Sequence, residues 1–192
     1  MNTLNQHRET IIYGGAFNPP TIAHQAILQS CVDSAERTSA DVWLLPSGDR
    51  TDKTIGIDRE RRLQLCHALA SDVVSRSVTI DVLPTELDTT GNTETIDTVR
   101  LLQNQYPDRN FTWVFGSDSV ATMADWCEGE WMLDNLPMLV VERPGSPILQ
   151  LGRYATRLPI DAIEASSTEV RDRLQRGISV RELVPASVLR YL

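Results

Sequence analysis

Short apolar runs alternate with longer amphipathic stretches along the whole chain. Short runs rich in β-branched or aromatic residues predict buried strands, whereas apolar residues three and four positions apart predict helices. The predicted strands are Ile11–Tyr13, Asp41–Pro46, Ser77–Val82, Phe111–Phe115, Pro137–Val141 and Leu158–Ile160. Helices are predicted from Ile22 to the neighbourhood of Arg37–Ser39, over Asp58–Ala70, Thr95–Gln105 and Ser167–Arg176, and from Pro185 onward. This alternation favours an α/β fold, a doubly wound parallel sheet with helices on both faces and a helical C-terminal segment.

The first strand stops at two adjacent glycines, Gly14 and Gly15. Because glycine has no Cβ, the backbone there can turn sharply and another group can approach it closely. Helical spacing begins at Ile22, just after two prolines. A strand, a glycine turn and a helix start direct free N–H groups and the positive end of a helix dipole at an anion, within reach of His24. Taken alone, such a glycine pair is most often only a turn.

Composition narrows the class of protein. A chain of 192 residues suffices for one domain, 1–192, and its net charge of −8 disfavours a nonspecific nucleic-acid binder, which neutralises phosphates with Lys and Arg. The three cysteines, Cys31, Cys66 and Cys127, are widely spaced and form no C-x-x-C pair. The sequence therefore indicates neither a disulfide framework nor a zinc site, and it favours the reducing cytoplasm. Residues 1–10 lack the apolar core of a secretory signal, and no run approaches membrane-spanning length.

The stretch from Gly14 to His24 resembles the Gly-Gly-x-Phe-Asp-Pro-x-His-x-Gly-His signature of nucleotidyltransferases, which transfer a nucleotide monophosphate from a triphosphate. Five residues match in register: Gly14, Gly15, Phe17, Pro19 and His24. Three depart from it, with Asn18 for the acid, Thr21 for the first histidine and Ala23 for the third glycine. The resemblance implies a Rossmann-like fold in which the phosphates of ATP contact Gly14, Gly15, Ala16, Phe17 and Thr21.

A later stretch resembles the nicotinate-nucleotide adenylyltransferase branch of these enzymes. Gly116 and Asp118 follow a predicted strand, and Trp126 comes shortly after them. In that branch the Gly-x-Asp turn contacts the adenosine and the tryptophan stacks on the pyridine ring; a carboxylate accepts ribose hydroxyls well, and an indole offers a flat face. Without the resemblance, a capping aspartate and a core tryptophan explain the same residues. The segment Arg143–Pro147 is interpreted as a surface loop.

Ser and Thr residues open the last long predicted helix, where they are typical N-caps. They resemble the family motif Ile-Ser-Ser-Thr-x-Ile-Arg, which implies that triphosphate oxygens are held by Ser166, Ser167, Thr168 and Arg171. Lys53 falls on the lysine position of a family loop and is a candidate phosphate contact. Three arginines of the second helix are interpreted as its solvated face: Arg59, Arg61 and Arg62.

The segment Thr95–Thr98 resembles a family segment, Thr-x-Asp-Thr, that lies near the pyridine nucleotide. The resemblance therefore assigns Asn18, Thr95 and Trp126 to that ligand. Glu94 replaces a residue that is usually aromatic in the family, and beside a nicotinate carboxylate it would be repulsive. The sequence accordingly leaves the choice between nicotinate and nicotinamide open.

The implied reaction is in-line attack of a mononucleotide 5′-phosphate on the α-phosphorus of ATP, with Mg²⁺ bound through the ATP phosphates and not by protein side chains. The developing charge would be stabilised by His24, Lys53 and Arg171. The implied partners are ATP and a pyridine mononucleotide of NAD biosynthesis. Whether the protein forms a homo-oligomer is left open. Thr21 is a weaker donor than the histidine it replaces, because neutral hydrogen bonds are about half as strong as charge-assisted ones. Thr21→His is therefore expected to raise turnover.

Two alternatives stay open. One is a catalytically weakened or inactive nucleotide-binding paralogue, and the other is an adenylyltransferase with a different phosphate acceptor.

Overall fold

The computed structural model describes residues 7–48, 57–89, 91, 93–149, 151–161 and 163–192. The strands within these ranges are β1 (Arg8–Gly15), β2 (Asp41–Pro46), β3 (Ile80–Val82), β4 (Arg109–Gly116), β5 (Pro137–Val141) and β6 (Tyr154–Arg157). The α-helices of the same ranges are α1 (Ile22–Thr38), α2 (Arg59–Ser71), α3 (Thr95–Gln105), α4 (Ser117–Thr122), α5 (Gly129–Asn135), α6 (Ser167–Gln175) and α7 (Ala186–Leu189). A 3₁₀ turn, Met123–Asp125, follows α4. None of the helices described is long and apolar enough to cross a membrane.

The strands form one parallel sheet in the order β3-β2-β1-β4-β5-β6, which confirms the predicted doubly wound architecture. β1 pairs with β2 on one side and with β4 on the other, so the chain winds outward from the centre in both directions. The strand order reverses between β1 and β4. Open parallel sheets bind ligands beyond the carboxyl ends of their strands at such a point.

Apolar clusters cover both faces of the sheet. Ile11 and Tyr13 of β1 belong to a cluster that includes residues of α1, α2, α6 and α7, while the intervening Ile12 belongs to one with residues of α3, α4 and α5. Side chains that alternate between two covered faces leave no polar face, which is why β2 is buried along its whole length.

The outer part of the sheet differs from the prediction. The sixth strand is Tyr154–Arg157 and not Leu158–Ile160, and β3 is shorter than predicted, covering Ile80–Val82 alone. β6 lies at the sheet edge and pairs with β5 only, so most of its side chains are exposed and it carries no apolar run. Leu158 follows the strand and packs into the core, which produced the misleading apolar signal. The short helices α4 and α5 were not predicted.

A buried carboxylate ties three strands together at the amino-terminal edge of the sheet. The Asp41 side chain is 6% exposed and accepts hydrogen bonds from Arg8 and Arg109, each at 2.7 Å. Arg109 is itself largely buried, and its guanidinium lies over the ring of Trp43, 4.5 Å from the centroid. This cluster fixes the relative positions of β1, β2 and β4, whose opposite ends form the site.

Candidate nucleotide-binding site

A cavity of about 410 Å³ lies beyond the carboxyl ends of β1, β2, β4 and β5, where the strand order reverses. Of the residues predicted to form a site, the cavity is lined by Gly14, Gly15, Ala16, His24, Thr95, Gly116 and Trp126. Lining residues that were not predicted include Ser47, Glu86, Thr93, Phe115, Ser119 and Arg143. Lys53 lies outside the described residues.

The glycine turn is shaped by the aromatic ring of Phe17. A Cβ on Gly15 would lie 3.1 Å from the Phe17 Cζ atom, which is tighter than ordinary packing, so any larger residue would require the ring to shift by a few tenths of an ångström. Phe17 itself is fully buried and adopts a positive φ of 45°, which is uncommon for a residue with a side chain. Its ring packs edge-on against Tyr13 and His24, at centroid distances of 5.3 and 5.4 Å. This packing holds the strained backbone in place.

His24 is held in one tautomer by the start of its own helix. The backbone N–H of Thr21, the N-cap residue of α1, donates to the His24 Nδ1 atom over 3.0 Å. Since Nδ1 accepts this bond, the proton of the neutral ring is on Nε2. Burial, and after it the charge of Arg143, lowers the pKa of His24 to about 4. At neutral pH His24 is therefore an uncharged N–H donor at the cavity wall.

The side chain of Thr21 lies against polar groups of the protein itself. The residue is fully buried, and its hydroxyl lies 2.8 Å from His24 Nδ1 and 3.3 Å from the carbonyl oxygen of Ala165. Both of these neighbours accept hydrogen bonds, so the hydroxyl proton is donated to one of them. Thr21 does not line the cavity, in contrast to the direct phosphate contact that the sequence predicted for it. Its position suits a residue that orients His24.

The starts of α1 and α6 meet at the turn between β1 and α1. Ser167 donates to the carbonyl oxygen of Pro19 over 2.8 Å, and Arg171 donates to that of Asn18 over 2.7 Å. Arg171 also donates to the Thr168 hydroxyl over 3.1 Å, while the Ser166 hydroxyl caps α6 by accepting from the Glu169 N–H. None of these side chains lines the cavity, but together they bring the start of α6 to the turn that precedes His24.

Arg143 lines the cavity, although the sequence pattern predicted a surface loop there. Its backbone N–H donates to the hydroxyl of the buried Ser117 over 2.9 Å, and that hydroxyl donates to the Ser146 carbonyl oxygen over 2.5 Å. The Nε atom of Arg143 lies 3.0 Å from where a Cβ on Gly116 would be, so glycine lets the guanidinium approach the backbone. The signal in the sequence was its position two residues after the end of β5, at the carboxyl edge of the sheet.

Among the described cavity-lining residues, the carboxylate comes from Glu86, a residue that was not predicted. Glu94 is exposed and does not line the cavity, so the repulsion considered for it does not arise there. Glu86 lines the cavity, and its two oxygens accept from the Gly48 N–H at 3.1 Å and the Thr98 hydroxyl at 2.8 Å. Trp126 lies in the same wall, edge-on to Phe115 with a centroid distance of 6.3 Å.

The predicted adenosine contact, Asp118, is exposed and lies next to Gly116 on the first turn of α4. Asn18 contributes its backbone carbonyl to Arg171 and does not line the cavity. Among the described residues, seven of the predicted ones line the cavity, and Ser167, Arg171 and Asn18 take part in hydrogen bonds at the turn between β1 and α1.

Known proteins resemble this chain in sequence and in fold. A family model described as cytidylyltransferase-like matches residues 12–173. A probable nicotinate-nucleotide adenylyltransferase of Salinibacter ruber is 32% identical over 188 residues, which cover 94% of this chain and 93% of that protein. A protein of the same name from Exiguobacterium sibiricum is 31% identical over 183 residues, with 94% of each chain covered. The structure of Plasmodium falciparum nicotinic acid mononucleotide adenylyltransferase complexed with NaAD matches with a TM-score of 0.79 at 20% identity, over 96% of this chain and 94% of that one.

The fold, the strand-end cavity and the family model define a Rossmann-like nucleotidyltransferase. The identity to relatives over nearly their full length then places the chain more narrowly. It belongs to the nicotinate-nucleotide adenylyltransferase family.

Proposed function

We propose that this protein joins ATP to nicotinate mononucleotide, giving the dinucleotide and pyrophosphate, as a step of NAD biosynthesis. One observation supports the proposal most directly. The first turns of α1 and α6 meet next to the cavity at the carboxyl ends of the strands, and His24 lies in the wall of that cavity. The relatives named above for this activity support it.

The triphosphate is proposed to lie over the turn that follows β1. The cavity wall there contains Gly14, Gly15 and Ala16. The positive end of the α1 helix dipole lies close by, so it and the backbone N–H groups of the turn both favour an anion. Arg143 supplies a cation in the cavity wall. Arg171 uses two donors within the protein, and a guanidinium has five, so others remain for phosphate oxygens at the rim.

In the proposed reaction a 5′-phosphate oxygen of the mononucleotide forms a bond to the α-phosphorus of ATP. The bond from that phosphorus to the oxygen bridging to the β-phosphate breaks, and pyrophosphate leaves with the electron pair. Catalysis then rests on positioning and on stabilising charge, because no protein nucleophile is required. His24 donates its Nε2–H to an oxygen near the reacting phosphorus, and Thr21 keeps the ring in the tautomer that makes this bond.

Mg²⁺ is proposed to come with ATP. Among the described residues, no group of three His, Cys, Asp or Glu side chains could hold a metal ion. The carboxylate in the described cavity wall, Glu86, already accepts two hydrogen bonds from the protein. This donor set fits a Mg²⁺ ion held mainly by phosphates and water, as that ion prefers, and the ion would supply charge neutralisation to the triphosphate.

The pyridine ring is proposed to lie against Trp126, with Thr95 close by, because both line the same cavity and the indole offers an aromatic face or edge. A cytoplasmic location is proposed for the reaction, and it is consistent with cysteines that form no disulfide with one another, Cys31, Cys66 and Cys127.

The proposal is tested by pyrophosphate release from ATP and Mg²⁺ with nicotinate mononucleotide, nicotinamide mononucleotide or phosphopantetheine as acceptor. Turnover with nicotinate mononucleotide is expected, and His24→Ala is expected to abolish most of it. ATP binding without pyrophosphate from any acceptor would favour the inactive paralogue. Turnover confined to phosphopantetheine would favour the alternative acceptor.

A further inference from the structure

Arg62 is a buried cation next to the turn that follows β1, although it was predicted to lie on a solvated face of α2. It lies near the start of α2 and is 2% exposed. One of its terminal nitrogens donates to the carbonyl oxygen of Ala16 over 3.1 Å. The neighbouring Arg59 behaves as predicted, since it forms an exposed ion pair with Asp88. Arg62 therefore connects α2 to the turn that lines the cavity.

The bond to Ala16 fixes the orientation of a whole peptide unit. The peptide between Ala16 and Phe17 is trans, so its C=O and N–H groups point in opposite directions. Arg62 is not a cavity residue, whereas Ala16 is. Arg62 therefore holds the carbonyl oxygen away from the cavity wall, and the Phe17 N–H points the opposite way within a fully buried residue. This N–H has no acceptor among the described residues.

Phe17 lies in the left-handed region, and the peptide that Arg62 holds is the one directly before it. A carbonyl oxygen facing the cavity would repel a phosphate. A peptide unit in a turn can rotate so that its carbonyl oxygen points the other way. The planar guanidinium of Arg62 is suited to prevent this rotation, because it donates to the Ala16 carbonyl oxygen from the side opposite the cavity.

We propose that Arg62 is a positioning residue for ATP, acting through the Ala16 carbonyl to keep that oxygen turned away from the cavity wall over which the triphosphate is proposed to lie. This inference rests on the proposed function, because it takes the triphosphate to lie over the same turn. Arg62 makes no contact with the substrate itself.

The test compares Arg62→Met, which keeps the length but loses the donors, with Arg59→Met on the same helix. Isothermal titration of each protein with ATP and Mg²⁺, without acceptor, measures binding, and steady-state kinetics measure KM for each substrate. Because displacing a binding group by about 1 Å can cost 10²-fold, Arg62→Met is expected to lower kcat/KM for ATP by roughly that factor. The KM for nicotinate mononucleotide should change less than about twofold, and Arg59→Met should match the wild type.

A purely structural role would affect both substrates alike. Equal losses for ATP and the mononucleotide, or a folded Arg62→Met protein with wild-type affinity for ATP, would therefore overturn the inference. If Arg62→Met does not fold, Arg62→Lys decides, because it keeps the charge but loses the planar fork; weaker ATP binding supports the proposal and unchanged binding refutes it. Absence of pyrophosphate release by the wild type would refute the proposed function, while the ATP titration would still decide the role of Arg62.

Discussion

Acidification tests the neutral state of His24. In the folded protein, burial and then the charge of Arg143 lower the pKa of His24 to about 4. In the unfolded chain the pKa of a histidine is about 6.5. Between these two values the unfolded state binds more protons than the folded state. The free energy of unfolding therefore falls as the pH drops from about 6.5 to about 4, and above this window His24 adds no further pH dependence.

The size of the effect follows from the difference in pKa. A difference of about 2.5 units, from 6.5 to 4, corresponds to roughly 3 kcal/mol lost across the window. For a protein of this length about 1 kcal/mol shifts Tm by about 2–4 °C, so the expected decrease is about 6–12 °C.

The assay is urea unfolding between pH 4 and 8 for the wild type and for His24→Gln. Glutamine three residues after an N-cap threonine maintains the capping arrangement at Thr21 and does not titrate. The difference between the two proteins isolates His24 from the carboxylates, which titrate in both. His67→Gln, at an exposed position on α2, is the control and should follow the wild type. If the free energies of unfolding of the wild type and of His24→Gln change in parallel from pH 8 to pH 4, the conclusion that His24 is a buried, neutral imidazole is refuted.

Three further substitutions test the site and its support. His24→Ala should lower turnover about 10²–10³-fold in the pyrophosphate assay, the usual loss for one transition-state donor, and a smaller loss would remove His24 from the reaction. Thr21→His should now lower turnover, and overpacking of this fully buried position should cost about 1–3 kcal/mol in urea unfolding, so a gain in turnover would contradict the positioning role. Asp41→Asn should cost about 3–5 kcal/mol because it leaves the charge of Arg109 uncompensated, whereas Asp88→Asn, in an exposed pair, should change little.

Several positions show why sequence patterns do not determine a site completely. The apolar face of α2 is readable from spacing, yet Arg62 looks like its charged neighbours. Its acceptor is a backbone carbonyl 46 residues away, and neither the acceptor nor its direction leaves a trace in the sequence around Arg62. The same holds for Glu86, whose donors come from the end of β2 and from α3.

Thr21 illustrates a different limit. Its place in the resemblance predicted a phosphate contact, because the residue it replaces was assigned to the ligand. The structure instead points its hydroxyl at His24 and Ala165. Whether a polar side chain faces a ligand or a neighbouring turn depends here on how the segment before α6 meets the start of α1, and that contact joins residues more than a hundred positions apart.

The amino-acid sequence by itself determined the parallel α/β architecture, the glycine turn after β1 and the two helix starts, because each depends on local periodicity or on backbone freedom at a single position. Tertiary structure alone decided which edge segment became β6, which charged residues were buried and which side chains line the cavity. Those features arise from contacts between distant segments, where a hydrogen-bond partner or a covered face exists only after the chain has folded.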